Sequence, residues 1–491
     1  MDDIHKSFDS KESNEVRAFF LDISKAFDNI WQEGLLFKLK QNGISGNLLN
    51  LFSNYLSNRK QRVVVNGYES DYVNIESGVP QGSVLGPLLF LIYINDLEKN
   101  IKSNIKFFAD DTMLYSIVKN PKITAEMLNK DLETIMKWAF QWKLEFNPDV
   151  NKQATEIIFS CKKTKITHPK LIFNGFELSQ HNEVKHLGLI FESDLSFKKH
   201  IYGKINKAKH CLSLIKHISK FFPLKTLSHM YKALIRSHLD YCDMIYHTPA
   251  VYSQNGMILQ GLTEQIEKIQ YQAALSITGT WQGTNRSKLY EELGWESLSD
   301  RRWCRQLLQL HEIINNKTPM YLRDKLPPQR RPLYSRNFLN MFYEIRCKSQ
   351  RYKNSFFPNA INSWNIIISQ FQDMPPFNVL KNYILQLIRP TIRSIFGIYD
   401  VIGTRCLFQL RLGLSPLKHH KWKNNFKDIV SSKCLCKEDD ENTRHFLLFC
   451  PFFLAQRLIL MAEVREILDN YNLAHKLSQE SLFLYGDSAI M

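Results

Sequence analysis

The stretch IKFFADDTMLY (residues 105–115) places two adjacent carboxylates, Asp110 and Asp111, between two apolar runs of strand character. This pattern predicts a hairpin with both acids at its tip, where neighbouring negative charges are costly unless a cation lies beside them. A second strand-like run, AFFLDI (residues 18–23), carries another acid, Asp22, near its end. Carboxylates that a fold brings together suit hard divalent ions, usually Mg²⁺. Two such ions about 3.5–4 Å apart stabilise the attacking and leaving oxygens of phosphoryl transfer.

Three strings resemble the catalytic motifs of reverse transcriptases. FLDISKAFD (residues 20–28) resembles motif A, GVPQGSVLGP (78–87) resembles motif B, and FADD (108–111) resembles motif C. The Ala-Phe-Asp ending of the first string and the Phe-Ala-Asp-Asp form of the third are similar to those of non-LTR retrotransposons, particularly jockey-like LINE elements. Three strings in this order at plausible spacing make the resemblance specific.

The resemblance implies an α+β fold. It consists of a polymerase palm of right-hand architecture (the reverse transcriptase fold), a mainly α-helical thumb, and a C-terminal region with a small zinc-binding element. The expected segments are a frayed N-terminus (1–17), the palm with motifs A to E (18–200), the helical thumb (201–318), a linker (319–336), a helical C-terminal region (337–430), a CCHC zinc-binding element (431–452), and a C-terminal helix and tail (453–491).

Hydrophobic periodicity adds local predictions. Apolar residues at steps of three and four predict a helix over residues 124–142, with Thr124 as its N-cap. Residues 154–159 are expected to form a returning strand, and residues 186–191 with 195–197 a short hairpin. From about residue 200 onward the pattern becomes helical, with lysines flanking the apolar stripes.

The resemblance assigns the acids to metal binding. It implies that Asp22 and Asp110 bind two catalytic Mg²⁺ ions, that Asp111 assists, and that the backbone carbonyl of Ile23 faces a metal. The chemistry agrees, because nucleotide addition needs in-line attack by a primer 3′-oxygen on an α-phosphate. The alternative is a solvated turn, since Asp is common in turns. The apolar runs on both sides argue against that alternative.

Two further features concern the nucleotide. Phe27 occupies the position where the family places a ring beneath the incoming sugar, which excludes a 2′-hydroxyl; an ordinary core Phe is the alternative. The motif B turn precedes a helix expected to start near Ser83, and its glycines permit close backbone approach. By resemblance Gln81 contacts the nucleotide–template pair. The predicted nucleotide- and template-binding residues are Phe27, Gly78, Pro80, Gln81 and Gly82.

The resemblance also suggests a proton donor and a primer contact. Lys152 lies where the family has a motif D lysine, which could protonate the leaving pyrophosphate as a general acid; a solvated surface lysine is the alternative. His186, Leu187 and Gly188 match the hairpin that grips the primer. The basic helices after residue 200 are expected to track a duplex backbone.

A cysteine–histidine cluster lies near the C-terminus. Cys434, Cys436, His445 and Cys450 follow the spacing C-x-C, eight residues, H, four residues, C. Four such ligands suit a tetrahedral, structural Zn²⁺. The cluster resembles the CCHC element that follows the polymerase in many non-LTR retrotransposon proteins. Unligated thiols near a chance histidine are the alternative.

Composition bounds the remaining possibilities. The 491 residues suffice for about three domains, and 44% hydrophobic content excludes a globally disordered chain. A net charge of +16 favours a polyanionic partner, although a basic protein without one is the alternative. Nine scattered cysteines indicate a reducing compartment. We see no secretory signal, and the longest apolar run, residues 84–94, is too short for a bilayer. We therefore expect an intracellular protein of the nucleus and cytoplasm, without a membrane partner.

The leading hypothesis is an RNA-directed DNA polymerase that uses an RNA template, a DNA or RNA primer and deoxynucleoside triphosphates. Motif A begins near residue 18, so we expect the chain to lack the fingers region and endonuclease that precede it in the family. The alternative is a truncated, inactive remnant that only binds nucleic acid. The sequence does not indicate an oligomeric state.

Overall fold

The computed structural model describes residues 1–12, 14–147, 154–162, 166–246, 251–253, 256–258, 261–330, 341–371, 373–388, 401–412, 414–415, 417–426 and 428–470. The chain divides into two compact units. The first contains residues 1–200 and 347–353, and the second contains residues 201–346 and 354–491.

The first unit combines helices with a mixed sheet. Its helices are α1 (Asp2–Phe8), α2 (Gln32–Gln41), α3 (Gly46–Leu56), α4 (Leu85–Ile94), α5 (Pro121–Gln141) and, fourteenth in chain order, α14 (Gln350–Lys353). Its strands are β1 (Glu15–Leu21), β2 (Lys60–Gln61), β3 (Val64–Val65), β4 (Tyr68–Glu69), β5 (Val73–Asn74), β6 (Asn104–Phe108), β7 (Asp111–Val118), β8 (Ala154–Phe159), β9 (Ile172–Phe173), β10 (Phe176–Glu177), β11 (Gln180–His181), β12 (Glu183–His186) and β13 (Leu189–Glu192).

The largest sheet positions the acids. Its strand order is β11-β8-β1-β7-β6, so β1 is central. Strand β1 pairs antiparallel with β7 and β8, which sets Leu21 opposite Thr112 and Ala154. All seven residues of β1 are buried, as expected of a central strand covered on both faces. The predicted strands around motifs A and C and at residues 154–159 are confirmed.

A charged pair is buried in this sheet. Arg17 on β1 donates from Nε to a carboxylate oxygen of Glu156 on β8, and both side chains are at most 3% exposed. Arg17 also donates to the backbone carbonyl of Pro169. An unpaired charge at such depth is strongly unfavourable, so each partner depends on the other. By contrast, the pair of Lys170 with Glu177 is exposed to solvent.

The N-terminus is not frayed, which corrects the expectation for residues 1–17. Helix α1 buries Ile4, and β1 begins at Glu15. Tyr115 donates a hydrogen bond to Asp3, at 2.5 Å. The carboxylate of Asp9 accepts from two backbone N–H groups of the segment 347–353. The polar composition of this segment therefore gave a wrong prediction, because its apolar residue is buried and its acids bond to partners far along the chain.

Helix α5 carries the predicted stripe but begins at a different cap. Asn120, not Thr124, is the N-cap, because its side chain accepts from the backbone N–H groups of Lys122 and Ile123. Pro121 takes the first helical position, where its missing N–H costs nothing. The helix packs into the core through Leu128, Leu132, Ile135 and Ala139.

The predicted hairpin exists with different strands. Strand β12 pairs with β13, and His186 lies opposite Leu189. Leu187 and Gly188 form the turn with φ of 47° and 72°. Two left-handed residues match the twist of a type I′ hairpin. Residues 195–197 lie beyond it and form no strand.

The second unit is mainly helical. Its helices are α6 (Lys198–Ile218, which starts in the first unit), α7 (Leu224–Met230), α8 (Ser237–Asp240), α9 (Asp243–Tyr246), α10 (Gly261–Thr278), α11 (Arg286–Leu293), α12 (Leu298–Ile314), α13 (Met320–Arg323), α15 (Phe356–Ile368), α16 (Phe377–Ile388), α17 (Val401–Arg411), α18 (Lys418–Lys423) and α19 (Leu454–Asn470), with π-helical turns at Tyr231–Arg236 and His445–Phe449, a 3₁₀ turn at Pro451–Phe453, and strands β14 (Val251–Ser253) and β15 (Gly256–Ile258).

The apolar stripes predicted after residue 200 are buried on α6 and α10. A separate core lies between α12, α15 and α16 around the fully buried Trp364. Part of the predicted linker at 319–336 is helix α13, and residues 331–336 lie outside the described residues. None of the helices described here has the length and apolar character needed to cross a membrane.

A fully buried carboxyl lies on α10. Glu267 accepts from the Tyr290 hydroxyl at 2.8 Å and from the backbone N–H of Leu298 at 3.0 Å. Burial raises the pKa of Glu267 to about 7, although these hydrogen bonds and the charges of Arg286 and Arg302 act in the opposite direction. This group therefore titrates near neutral pH in the folded chain.

Candidate active site

Three carboxylates lie at one end of adjacent strands. Asp22 directly follows β1, and Asp111 is the first residue of β7. Leu21 pairs with Thr112, and Phe108 pairs with Asp111 to close the β6–β7 hairpin. Ala109 and Asp110 form the two-residue turn, with Ala109 at a φ of 53°. The sheet register therefore brings the acids of two distant segments to the same end of the sheet, which we call the strand edge.

Burial and the charged groups at the strand edge shift the pKa of Asp111. Burial raises the pKa of the Asp111 carboxyl, and the negative charges of Asp110 and Asp22 raise it further. His186 opposes them, since its Nδ1 lies 3.9 Å from a carboxylate oxygen of Asp111. Carboxylates that repel one another at one place have the donor chemistry of a divalent ion site.

Asp22 is held by a residue that the sequence analysis missed. The Asn147 side chain donates to an Asp22 carboxylate oxygen at 2.8 Å, and the Asn147 backbone N–H donates to the Asp22 carbonyl at 3.0 Å. Ile23 forms an isolated antiparallel bridge with Phe146. No local sequence signal marks Asn147, because its partner lies 125 residues away. Lys152 falls in the segment 148–153, outside the described residues.

The motif B turn is fastened to motif A. The N–H of Gly78 donates to the Ile30 carbonyl at 2.8 Å, and the N–H of Val79 donates to the Phe27 carbonyl at 2.9 Å. Gly78 has a φ of 86°, and a Cβ there would lie 2.7 Å from the backbone oxygen of Asp28. Glycine is therefore required both by conformation and by close approach.

Gln81 has a defined orientation. Its Nε2 donates to a carboxylate oxygen of Asp28 at 2.7 Å. Because a carboxylate only accepts, the Gln81 amide presents its carbonyl oxygen outward. Gly82 lies beside it at a φ of 76°, and Pro80 is half-buried. This contact of Asp28, the last residue of motif A, is not predictable from the motif alone.

The helix after this turn begins at Leu85, as predicted for a start near Ser83. The Ser83 hydroxyl accepts from the N–H of Gly86 at 2.9 Å and donates to the Pro80 carbonyl at 2.7 Å. The same bonds tie the turn to the start of α4.

Phe27 packs on α4, and the β12–β13 hairpin lies beside Asp111. The half-buried Phe27 ring stacks on Phe90 of α4, with 4.7 Å between ring centroids. The His186 ring lies 4.6 Å from the ring of Phe20 on β1. Burial lowers the pKa of His186, while Asp111 raises it. The exposed turn formed by Leu187 and Gly188 thus projects beside the acids.

The cysteine–histidine cluster is assembled in the second unit. One potential ligand atom from each of Cys434, Cys436, His445 and Cys450 lies within 4.8 Å of the others. Burial raises the pKa of Cys434 to about 11. Burial also raises the pKa of Cys436. Hydrogen bonds with the backbone of Glu438 and with Cys434 and His445 outweigh that effect and lower the pKa to about 7. The spacing and the donor set fit a tetrahedral Zn²⁺.

Comparisons with known proteins give a family match that spans the three acids. Residues 2–191 match the family described as "Reverse transcriptase (RNA-dependent DNA polymerase)". The chain is 27% identical over 310 residues to "Probable RNA-directed DNA polymerase from transposon X-element" of Drosophila melanogaster, covering 61% of this chain and 32% of that protein. It is 31% identical over 244 residues to "RNA-directed DNA polymerase from mobile element jockey" of Drosophila funebris, covering 46% and 25%.

Among solved structures, apo telomerase from Candida tropicalis matches with a TM-score of 0.36 and 11% identity, over 82% of this chain and 55% of that chain. That score is too low to bear on the fold. The chain spans about a third or less of the length of the two Drosophila relatives.

Proposed function

We propose that this chain, whose residues 2–191 are a reverse transcriptase domain of the non-LTR retrotransposon kind, is an RNA-directed DNA polymerase. One observation carries the proposal. The sheet register brings Asp22, Asp110 and Asp111 to one edge, where their mutual repulsion calls for a cation. For such a polymerase we propose an RNA template, a primer and deoxynucleoside triphosphates as substrates.

In this proposal Asp22 and Asp110 hold two Mg²⁺ ions and Asp111 assists. Bound divalent ions lower the pKa of the attacking hydroxyl and neutralise charge on the triphosphate. Asn147 restricts the Asp22 carboxylate to one orientation, which supports a fixed site. We retain the carbonyl of Ile23 as a proposed ligand and Lys152 as a proposed general acid.

The surrounding residues position the nucleotide and primer. Gln81, held through its Nε2 by Asp28, contacts the nucleotide–template pair through its carbonyl oxygen. Phe27 acts as the gate against a 2′-hydroxyl, with Gly78, Pro80 and Gly82 shaping the backbone around it. His186 and the turn at Leu187–Gly188 contact the primer end, supported by their place beside the acids.

The remaining segments take supporting roles. We assign residues 201–318 to a thumb, with basic helices that track a nucleic-acid backbone. Cys434, Cys436, His445 and Cys450 hold one structural Zn²⁺, supported by the short distances among their ligand atoms. Elemental analysis of purified, reduced protein should find about one Zn²⁺ per chain. Folded protein without metal would refute the assignment.

Primer extension on an RNA template tests the polymerase directly. Asp110→Asn should lower Mg²⁺-dependent extension by about a hundredfold or more, as loss of a preorganised electrostatic group does. Asp71→Asn removes the same charge from an exposed ribbon of the first unit and is the matched control. Equal extension by wild type and Asp110→Asn would reject the proposal. Tight nucleic-acid binding without any extension would favour the inactive remnant instead.

A further inference from the structure

A short segment from far along the chain is fastened to the N-terminal helix of the first unit. We call this segment, residues 347–353, the strap; it contains α14 and belongs to the first unit, whose other residues are 1–200. The Asp9 carboxylate accepts from the backbone N–H of Lys348 at 2.8 Å and from that of Ser349 at 2.6 Å. Asp9 directly follows α1, and α14 packs against that helix. One carboxylate therefore fastens the strap to the end of α1.

Ser349 lies at the centre of this contact. Its hydroxyl accepts from the backbone N–H of Tyr352 at 3.2 Å, as an N-cap side chain does at the start of a helix. Burial raises the pKa of the Asp9 carboxyl, but hydrogen bonds from the Lys348 backbone and from the side chain and backbone of Ser349 lower it below its usual value. The serine hydroxyl and the Asp9 carboxylate are therefore neighbours, so a negative charge added to the serine would face one that is already there.

The sequence around this serine is basic, and it reads IRCKSQR (residues 345–351). Arg346 stands three residues before Ser349, Lys348 one residue before it and Arg351 two residues after it, and all three are exposed. No other arginine in the 491 residues stands three residues before a serine or a threonine. Many serine kinases select substrates by arginine on the N-terminal side of the serine, which binds acidic groups of the kinase cleft.

The serine needs only a small local opening to enter such a cleft. Ser349 is half-buried, and its neighbours Lys348 and Gln350 are exposed. Residues 343–349 contain no helix or strand, and the helix that follows them is four residues long. Short surface segments open locally at a much smaller free-energy cost than core elements do. A kinase can therefore reach the serine without unfolding the first unit.

We propose that Ser349 is phosphorylated by a kinase that recognises basic residues, and that the phosphate releases the strap from α1. The γ-phosphoryl group of ATP moves to the Ser349 Oγ: an O–P bond forms there, the bond to the ADP oxygen breaks, and the hydroxyl proton passes to a base of the kinase. The phosphoserine then carries a charge of about −1.5 to −2 near pH 7. Because the Asp9 carboxylate already accepts from the two strap amides, the phosphate repels it and competes with it for them. This release does not depend on polymerase activity.

Phosphorylation of the full chain tests the site. The probe is the catalytic subunit of cyclic-AMP-dependent protein kinase with Mg²⁺ and ATP, and mass spectrometry of the digested protein locates the phosphate. Phosphate should map to Ser349 in wild type and be lost from this position in Ser349→Ala. Arg346→Gln should lower kcat/KM for the modification by about tenfold or more, because it removes a charge-assisted contact with the kinase.

Lys353→Gln is the matched control, because it removes the same charge from an exposed position on the C-terminal side of the serine. It should change kcat/KM little. Equal losses in Arg346→Gln and Lys353→Gln would overturn the assignment. So would the lack of phosphate on Ser349 under conditions that fully modify a synthetic peptide of residues 343–355.

Hydrogen exchange tests the release. In protein phosphorylated at Ser349, the amides of α1 and of the strap should exchange about tenfold faster or more than in unmodified protein, while those of α5 should not change. Ser349→Ala treated with the same kinase controls for phosphate at other positions. In Asp9→Asn the acceleration should be smaller, because the phosphate then lacks the neighbouring carboxylate that it repels. Unchanged or slower exchange of α1 in protein phosphorylated at Ser349 would overturn the release, and an equal acceleration in Asp9→Asn would overturn the repulsion that drives it.

Discussion

Replacing Gly78 with alanine should loosen the motif B turn, and the size of the effect follows from the geometry. The new Cβ would lie 2.7 Å from the Asp28 backbone oxygen and 2.8 Å from its Cα, so backbone must shift. Overpacking of this kind costs about 1–3 kcal/mol. The left-handed φ of 86° adds about 1–2 kcal/mol for a non-glycine residue.

Gly82→Ala is the matched control. Gly82 shares a left-handed φ of 76°, but nothing lies within 4 Å of a Cβ there. It should lose only the conformational term, and both variants gain the same small reduction in unfolded-state entropy. The difference between the two variants is therefore about 1–3 kcal/mol.

Hydrogen exchange of the peptide that contains the Gly78 and Val79 amides measures this difference. The Gly78 amide is bonded to the Ile30 carbonyl and the Val79 amide to the Phe27 carbonyl, so exchange reports the opening of the turn. Gly78→Ala should exchange about tenfold to a hundredfold faster than Gly82→Ala, since about 1.4 kcal/mol is a factor of ten. Equal exchange rates would refute the claim that close approach to Asp28 requires glycine.

Three further outcomes are expected. Glu267→Gln should flatten the pH dependence of the free energy of unfolding. Because the folded pKa of Glu267, about 7, exceeds the ordinary value, wild type should lose up to about 3 kcal/mol of stability as pH rises from about 4.5 to 7. Urea titrations in which the free energy of unfolding depends equally on pH in both proteins would contradict this. Arg17→Met leaves the buried Glu156 carboxylate unpaired and should lower the free energy of unfolding in urea by about 3–5 kcal/mol. Lys170→Met, at an exposed pair, should lower it by at most about 1 kcal/mol. Similar losses in both variants would refute the burial argument. If Asp28 acts by orienting Gln81, then Asp28→Ala should slow extension in wild type but add little in a Gln81→Ala background, and additive effects would show independent roles.

The sequence predicted elements whose signals are local. The strands around motifs A and C, and the stripe on α5, follow from apolar patterns that burial confirms. The cap of α5 was wrong because Asn120 followed by proline was not read as a helix start. The hairpin was misplaced because the β12 residues, EVKH, look polar when only one of them is buried.

The candidate site was predictable only in part. The carboxylates lie in short contiguous motifs, so the resemblance was enough to identify them. Asn147 and the Asp28–Gln81 bond depend on pairings between distant segments, which a single sequence does not display. Asp3 on α1 and Asp9 just after it are similar cases, since their partners lie far along the chain.

The central claim is that the three carboxylates at the strand edge catalyse templated synthesis of DNA. Sequencing of the products made by the chain from a primer, an RNA template of defined sequence, four deoxynucleoside triphosphates and Mg²⁺ tests it most directly. The account predicts products complementary to the template, present with wild type and Asp71→Asn and absent with Asp22→Asn or Asp110→Asn. Products that do not follow the template, or identical products from the Asp110→Asn variant, would contradict it.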